Sequence, residues 1–369
     1  MNDKKRILVA PLNWGLGHAT RCIPIIRFLQ KQDVKVFLAS DGRAYHLLLK
    51  EFPELPIFQL PAYDITYRTS NMMWNMAFQF PKMFRAIAKE KKAVAKIVKD
   101  EKIDIVISDN RFGCFSKNAY NVFMTHQVNL PIPMPVAKQI GNWVNWIKIS
   151  NFDECWIPDF KEEPNLSGKL SHGKNVAQQI KNVKYVGALS RMQKKQSEQK
   201  RKAIIILSGP EPQRTYLEKN ILEQALESPH HFLVVKGQTE RKEHFFFSEN
   251  IEVVSFLTSE ELNNAIAESE IVISRSGYTT LMDLVFLGKK AILIPTPGQT
   301  EQEYLAEHFH KQNIFFTTSQ NNFNLKKALE KVESFTGFDD SVFKNNTFEK
   351  NVIELVTRFS KTVLNKNKR

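Results

Sequence analysis

Short Val- and Ile-rich runs alternate with stretches of helical period along nearly the whole chain, and that alternation limits the possible folds more than any other feature. In the first half, residues 6–11 (RILVAP), 34–40 (VKVFLAS), 103–108, 122–125 and 154–157 read as strands, with helices over 19–31 and near 42–52. In the second half, residues 203–207 (AIIIL), 232–235, 251–256, 271–274 and 291–295 read as strands, with helices over 213–226, 259–267 and 280–287. Buried strands separated by helices imply βαβ crossovers and a parallel sheet covered on both faces. Between residue 160 and about residue 202 the pattern lapses into Lys, Gln, Asn, Ser and Gly, so the inter-domain connection is placed there. The expected fold class is α/β: two Rossmann-like, doubly wound parallel-sheet domains, residues 1–190 and 191–344, with a ligand cleft at the strand carboxyl ends. A terminal helix, about 345–369 and ending in a basic tail, is expected to pack back on the first domain.

At 369 residues, 42% hydrophobic and 25% charged, the chain is long enough for two cores and is neither wholly disordered nor a disulfide scaffold. Its formal net charge of +13 favours an anionic partner: nucleic acid, an acidic membrane face or a phosphorylated ligand. Nucleic acid is the weakest of these, because the basic residues are dispersed and no helix-turn-helix, zinc-finger or RNA-recognition signature is present. Cys22, Cys114 and Cys155 stand far apart with no C-x-x-C pair, which argues against disulfides and structural zinc and for a reducing, cytoplasmic compartment. The apolar run 7–12 is too short for a signal-peptide core, and no run reaches the ~18–20 residues of a membrane span. Segment 72–102, where Met, Trp and Phe give way to Lys and Arg, fits an interfacial helix against anionic lipid at the inner face of the cell membrane. It fits an amphipathic packing helix equally well.

Three strand–turn–helix junctions bear the chemistry. The first is Asn13-Trp14-Gly15-Leu16-Gly17-His18-Ala19-Thr20-Arg21. Gly15 and Gly17 permit a tight turn with free helix amides for an anion, and His18 at the helix start suits a general base or a hydrogen-bond donor, the alternative being a capping or core histidine. The second is Ser274-Arg275-Ser276-Gly277 running to Asp283. Ser276 and Gly277 leave amides suited to a diphosphate, and a carboxylate at Asp283 can accept from a vicinal diol such as ribose. The third runs from Pro295 to Tyr304, where Gln302 and Glu303 offer an amide and a carboxylate to a polyhydroxy ligand.

The second and third junctions resemble the S-R-S-G-a-x-T-x-x-E and P-x(6)-Q-Q-Y elements of the MurG-like, family 28 glycosyltransferases of GT-B architecture, at matching spacing. Gly15-Leu16-Gly17-His18 is similar to that family's G-G-x-G-G-H loop. The resemblance implies an inverting transfer of a sugar, an N-acetylhexosamine expected, from a UDP-sugar to a hydroxyl acceptor on a lipid-linked or cell-envelope glycan. It places Asp283 at the ribose-binding acid, Gln302 and Glu303 at the donor sugar, Phe256 and Leu257 beside the uracil, and His18 near acceptor and diphosphate. His126-Gln127-Val128-Asn129 matches a His-Glu-x-Asn element, so His126 and Asn129 are acceptor-side candidates, while Gln127 cannot act as a base. Asp109 and Arg111 stand where the family has a Gly-rich acceptor loop, so the acceptor is expected to differ from the peptidoglycan lipid intermediate. Arg214, in a turn that departs from the family's Gly-Ser-x-Gly, is a candidate for reaching phosphate alongside Gly15, Gly17, Ser276 and Gly277.

No Asp-x-Asp motif stands near a strand end, Asp339-Asp340 falling in an expected loop, so neither a metal nor a cofactor beyond the UDP-sugar co-substrate is expected. The His18 turn is also similar to nucleotide-sugar hydrolases on the GT-B fold, in which water replaces the acceptor. A hydrolase is therefore the alternative, and a non-catalytic donor or polyanion binder the third reading.

Overall fold

The computed structural model describes residues 4–63, 72–173, 176–238, 243–338 and 347–366, and the side chains among these except those of 72–81, 177 and 359–366. The chain divides into two compact units, residues 1–189 with 345–369, and residues 190–344.

The first unit runs β1 (Lys5–Pro11), α1 (Gly17–Gln30), β2 (Val34–Ser40), α2 (Gly42–Glu51), β3 (Ile57–Gln59), α3 (Met72–Asp100), β4 (Ile105–Asp109), β5 (Tyr120–Met124), α4 (Pro135–Ile149), β6 (Glu154–Ile157), α5 (Val176–Gln179) and β7 (Val183–Tyr185). Its sheet has the order β3-β2-β1-β4-β5-β6-β7, with every pair parallel. β1 lies between β2 and β4, and Ile7, Leu8, Val9 and Ala10 are fully buried. A strand covered on both faces must be apolar at every position, which is why its sequence shows no alternation. Each such Ile, Leu or Val contributes roughly 1.5–3 kcal/mol of burial free energy.

The second unit runs β8 (Arg201–Ile206), α6 (Gln213–Leu226), β9 (Phe232–Val235), β10 (His244–Ser248), β11 (Ile251–Val254), α7 (Ser259–Ala267), β12 (Ser269–Ser274), α8 (Tyr278–Leu287), β13 (Lys290–Leu293), α9 (Thr300–Lys311), β14 (Phe316–Thr317) and α10 (Leu325–Lys331). Its strand order is β10-β11-β9-β8-β12-β13-β14. Only the β10–β11 pair is antiparallel among these described strands. α11 (Phe348–Lys366) then returns to the first unit. Phe348 meets Phe28 edge-on at 5.6 Å, and Arg358 reaches Glu154 at 3.4 Å.

Two expectations need correction. Residues 160–186 are not a connection between domains: Asp159, fully buried, gathers the amides of Phe160, Leu166 and Ser167, the Ser167 hydroxyl and His172 Nε2, and β7 follows as an edge strand. A loop organised by one carboxylate shows no apolar period. The basic tail expected at 361–369 is helical as far as Lys366. Asp339 and Asp340 lie outside the described residues, as do the side chains of 72–81 in the segment expected at the membrane.

Candidate functional site

Each sheet reverses its strand order once near its centre, between β1 and β4 in the first unit and between β8 and β12 in the second. At such a point the two flanking loops splay apart beyond the strand carboxyl ends and leave room for a ligand. Each unit has a polar cluster there.

In the first unit, Gly15 adopts φ +75°, and the loop delivers α1 with no side-chain cap and no acid in its first turn. Behind that helix start, Asp109 at the end of β4 is fully buried and accepts from Arg21 Nε at 2.8 Å and from Arg21 Nη2. Arg21, only 2% exposed, also donates from Nη1 to His126 Nδ1 at 2.9 Å. A guanidinium can only donate, so the His126 proton sits on Nε2. Burial would raise the Asp109 carboxyl, but the Arg21 guanidinium and then His18 outweigh it and hold it well below the usual carboxylate range. Burial, and then the neighbouring Asp109, push the Cys22 thiol far up, so it is an inert packing group.

His18 is the partly exposed member of the cluster, at 13% for its side chain. Its Nδ1 lies 3.2 Å from Asp109 Oδ1 and 2.9 Å from Arg21 Nη2. An Nδ1–H donating to Asp109 leaves a lone pair on Nε2 and makes the ring a base. An Nδ1 accepting from Arg21 puts the proton on Nε2 and makes the ring a donor. Burial pushes the imidazole below its ordinary value, Asp109 opposes this and Arg21 adds to it, so the ring is neutral at pH 7 in either tautomer.

The other first-unit candidates are placed differently. Arg111 is fully buried and pairs with Glu90 and Asp41. It also donates to the carbonyls of Pro11 and Pro61, which corrects the expectation of an acceptor contact: it is a strut beneath the strand ends. Asn129 donates to Lys169 O at 3.2 Å, tying two loops together.

In the second unit the start of α8 stands apart from its neighbours. α7 is closed by a capping box of Thr258 and Glu261, α9 carries Glu301 and Glu303 in its first turn, and Glu211 accepts from the Thr215 amide and hydroxyl in the first turn of α6. α8 has neither a side-chain cap nor an acid in its first turn, so no carboxylate of that turn offsets the positive end of its dipole. Arg275 lies directly before it, 1% exposed, and donates to the carbonyls of Ser208, Gln213, Ile294 and Pro295 and to Gln320 Oε1. Burial pushes its guanidinium down to about 10, with no carboxylate among the described residues opposing the shift. A buried charge without a counter-ion is costly. The five N–H donors of Arg275 are spent on those carbonyl and amide oxygens, so the charge is spread over dipoles and not over a carboxylate.

The Thr296 hydroxyl is buried without a hydrogen-bond partner, beside Gly209, whose φ is +102° and where a Cβ would come within 3.2 Å of Thr296 Oγ1. Neither Arg275 nor Thr296 was singled out from the sequence, although Arg275 sits inside the Ser-Arg-Ser-Gly turn. Thr296→Val removes an unmet hydroxyl at constant shape. We expect it to leave thermal stability unchanged or raised by about 1 kcal/mol while weakening nucleoside diphosphate binding in calorimetry; unchanged binding would make the hydroxyl a packing feature.

Ser276 is fully buried and spends its hydroxyl on Gln302 O at 2.7 Å, joining the α8 turn to the start of α9. Gln302 accepts from Thr296 N at 2.9 Å, and Glu303 accepts from Gly298 N at 2.9 Å, so both heads shape the 296–303 loop. Phe256 and Leu257 are half-buried between β11 and α7. Arg214 corrects another expectation: its guanidinium is committed to Glu211 and Glu218, within its own helix and the turn before it, and is not directed at a phosphate.

Asp283 is five residues beyond Tyr278, about one and a half turns and about 7.5 Å along α8. Ser190 donates to its Oδ1 at 2.6 Å. Burial pushes this carboxyl up to about 6, against the opposing pull of Arg191 and the Ser190 hydroxyl. A carboxylate accepts both protons of a diol, whereas the acid accepts less well. Nucleotide affinity should therefore be full above pH 7 and fall as pH drops through about 6; a flat affinity from pH 7.5 to 5 would remove Asp283 from the site.

Residues 188–356 match the glycosyltransferase family 28 C-terminal domain. A stretch of 95 residues is 30% identical to the UDP-N-acetylglucosamine--N-acetylmuramyl-(pentapeptide) pyrophosphoryl-undecaprenol N-acetylglucosamine transferase of Caldanaerobacter subterraneus, covering 25% of this chain and 26% of that protein. The alignment thus spans about a quarter of the relative's length. Among solved structures, Acinetobacter baumannii MurG aligns with a TM-score of 0.54 at 13% identity, over 96% of this chain and 99% of that one. Arabidopsis thaliana UGT89C1, complexed with UDP-L-rhamnose, aligns with a TM-score of 0.66 at 11% identity, over 97% and 99%. At these identities the likeness is one of fold, and the fold is GT-B.

Proposed function

We propose that the chain, whose residues 188–356 match the glycosyltransferase family 28 C-terminal domain and whose fold is GT-B, is a MurG-like family 28 glycosyltransferase that transfers an N-acetylhexosamine from a UDP-sugar to a hydroxyl acceptor on a lipid-linked or cell-envelope glycan. The observation that supports this most strongly is the start of α8, with neither a side-chain cap nor a first-turn acid, directly after a buried Arg275 and on the same helix as Asp283. In this reading the positive end of α8 and the Thr296 hydroxyl receive the diphosphate, with Arg275 a fixed positive charge behind them, Asp283 receives the ribose, Phe256 and Leu257 the base, and Gln302 and Glu303 the sugar.

Transfer is a single displacement with inversion. His18 Nε2 takes the acceptor hydroxyl proton, with Asp109 accepting from Nδ1–H, as the acceptor oxygen bonds to the anomeric carbon. The bond from that carbon to the diphosphate oxygen breaks, and UDP leaves with the electron pair. The charge developing on the leaving group is met by the positive end of the α8 dipole and the fixed charge of Arg275 behind it, a role that elsewhere falls to a metal ion.

Incubation with UDP-N-acetylhexosamines and a lipid extract, with products resolved by mass spectrometry, tests the reading. We expect a glycosylated lipid-linked product, formed at an unchanged rate in EDTA. Free sugar released at the same rate with or without acceptor would reassign the chain as a nucleotide-sugar hydrolase. Activity lost in EDTA and restored by Mg²⁺ would contradict the metal-free account.

A further inference from the structure

The turn that precedes His18 is fastened to the start of α2 by a side chain that stands in for a missing cap. Asp41 occupies the N-cap position of α2 but makes no capping bond, because its carboxylate is spent on Arg111 and on Asn13 Nδ2, the latter at 3.3 Å. Asn13 Oδ1 instead accepts from Ala44 N at 3.3 Å, the third helical amide, which an N-cap side chain would ordinarily receive. Gly42 makes this docking possible: its φ is +51°, and a Cβ there would collide with Asn13 Nδ2. Behind Asp41 stands the fully buried pair of Arg111 and Glu90, and Glu90 accepts in turn from Tyr63 Oη at 2.5 Å and Gly113 N at 2.9 Å. Leu12 N adds a bond to Asp109 O at 2.9 Å. The chain is thus clamped on both sides as far as Asn13.

What the clamp holds up is Trp14, 44% exposed. Among the described residues its indole makes no ring contact and no hydrogen bond, and beside it a Cβ on Gly15 would meet nothing within 4 Å. A large, rigid ring on a turn fastened to a buried ion pair is a preformed contact surface, with little conformational entropy left to lose on binding. Its place in the fold chooses the occupant. His18, four residues further on, takes the proton of a hydroxyl in the transfer reading, and that hydroxyl is carried on a sugar ring. The C–H groups on one face of a pyranose are apolar and weakly positive, whereas the face of an indole is flat and negative. His18 itself is held by Asp109 and Arg21, so the clamp acts on Trp14 rather than on the base.

We infer that Trp14 binds the acceptor by stacking its indole on the apolar face of the sugar ring that carries the attacking hydroxyl, and that Asn13 and Gly42 are positioning residues acting through it. The inference rests on the transfer reading and adds to it the group that meets the acceptor beside the attacking oxygen: a sugar ring, not a lipid chain.

The test measures transfer from a UDP-N-acetylhexosamine over a dilution series of lipid extract, with UDP binding followed by calorimetry. Trp14→Ala should keep the wild-type thermal midpoint and UDP affinity within about twofold. It should raise the extract concentration for half-maximal transfer by about tenfold or more, with a much smaller change in the plateau rate. Trp14→Phe, which keeps a flat face, should recover most of that loss, and Trp14→Leu, apolar but not flat, should not. Asn13→Ala and Gly42→Ala should each raise the same concentration by about threefold or more with Trp14 intact. Together they should do no more than either alone, because both open one clamp. Unchanged half-saturation in Trp14→Ala, with the wild type transferring, would overturn the inference and leave the transfer reading standing. So would full recovery by Trp14→Leu, since the contact would then be with a lipid chain. Additive effects of Asn13→Ala and Gly42→Ala would remove the positioning role. A wild type that transfers nothing would defeat the transfer reading, and the inference with it.

Discussion

Replacing His18 by alanine is expected to lower kcat by about 10²–10⁴-fold while leaving UDP affinity within about threefold of the wild type. The expectation follows from the choice between two tautomers at one nitrogen, Nδ1, which stands between Asp109 Oδ1 and Arg21 Nη2. If Nδ1 bears the proton, Nε2 acts only on the acceptor hydroxyl in the transition state, and its loss shows in kcat alone. If Nε2 bears the proton, the ring is a donor to bound ligand, and UDP affinity falls with the rate. The same calorimetric titration and rate measurement therefore separate a base from a binding group. Because burial, moderated by Asp109, holds the imidazole below its ordinary value, the acid limb of the kcat/KM profile should lie below pH 6.5. An acid limb at or above pH 7 would show a ring that is cationic at rest.

The largest loss of stability is expected from Asp109→Ala, about 3–5 kcal/mol in denaturant unfolding. Asp109 and Arg21 are both essentially buried, and removing the carboxylate leaves a guanidinium in the interior beside His18 and His126 without its counter-ion Asp109. The double variant Asp109→Leu/Arg21→Met should recover much of that loss, because neither charge then needs solvation. If the single variant cost less than about 1 kcal/mol, water would be reaching Arg21 and the cluster would not be a closed network. The pH dependence has a fixed sign. A carboxyl depressed in the folded state contributes its stability above the ordinary carboxylate range and loses it as pH falls through that range towards its own lower value. Acid unfolding of the first unit should therefore begin near pH 4 and be blunted in the double variant.

These two residues show where the sequence could be read and where it could not. His18 announces itself because a strand, a glycine turn and a helix start are contiguous, and the same holds for Ser276 and Asp283. Asp109 is 91 positions away from His18, and only the parallel pairing of β1 with β4 brings them together. Central strands such as Val34–Ser40, Glu154–Ile157 and Phe232–Val235 coincide with their apolar runs because burial on both faces leaves no other choice of residue. The edge strands β3, β7, β10 and β14 were not anticipated: they span two to five residues, and β10 exposes Phe245, Phe246 and Phe247, so burial imposes no pattern on them. α4 was overlooked for the converse reason, its apolar stripe facing outward and its polar residues inward. Arg214 was misread although the sequence held the warning, since Glu211 and Glu218 lie three residues before it and four after it, where side chains meet on a helix.

A crystal structure of the chain grown with saturating UDP would examine the donor site most directly. The account predicts diphosphate oxygens at the start of α8, within reach of Thr296 and with Arg275 behind them, and ribose hydroxyls on Asp283. A nucleotide held elsewhere, or an empty α8 terminus at full occupancy of another site, would contradict it.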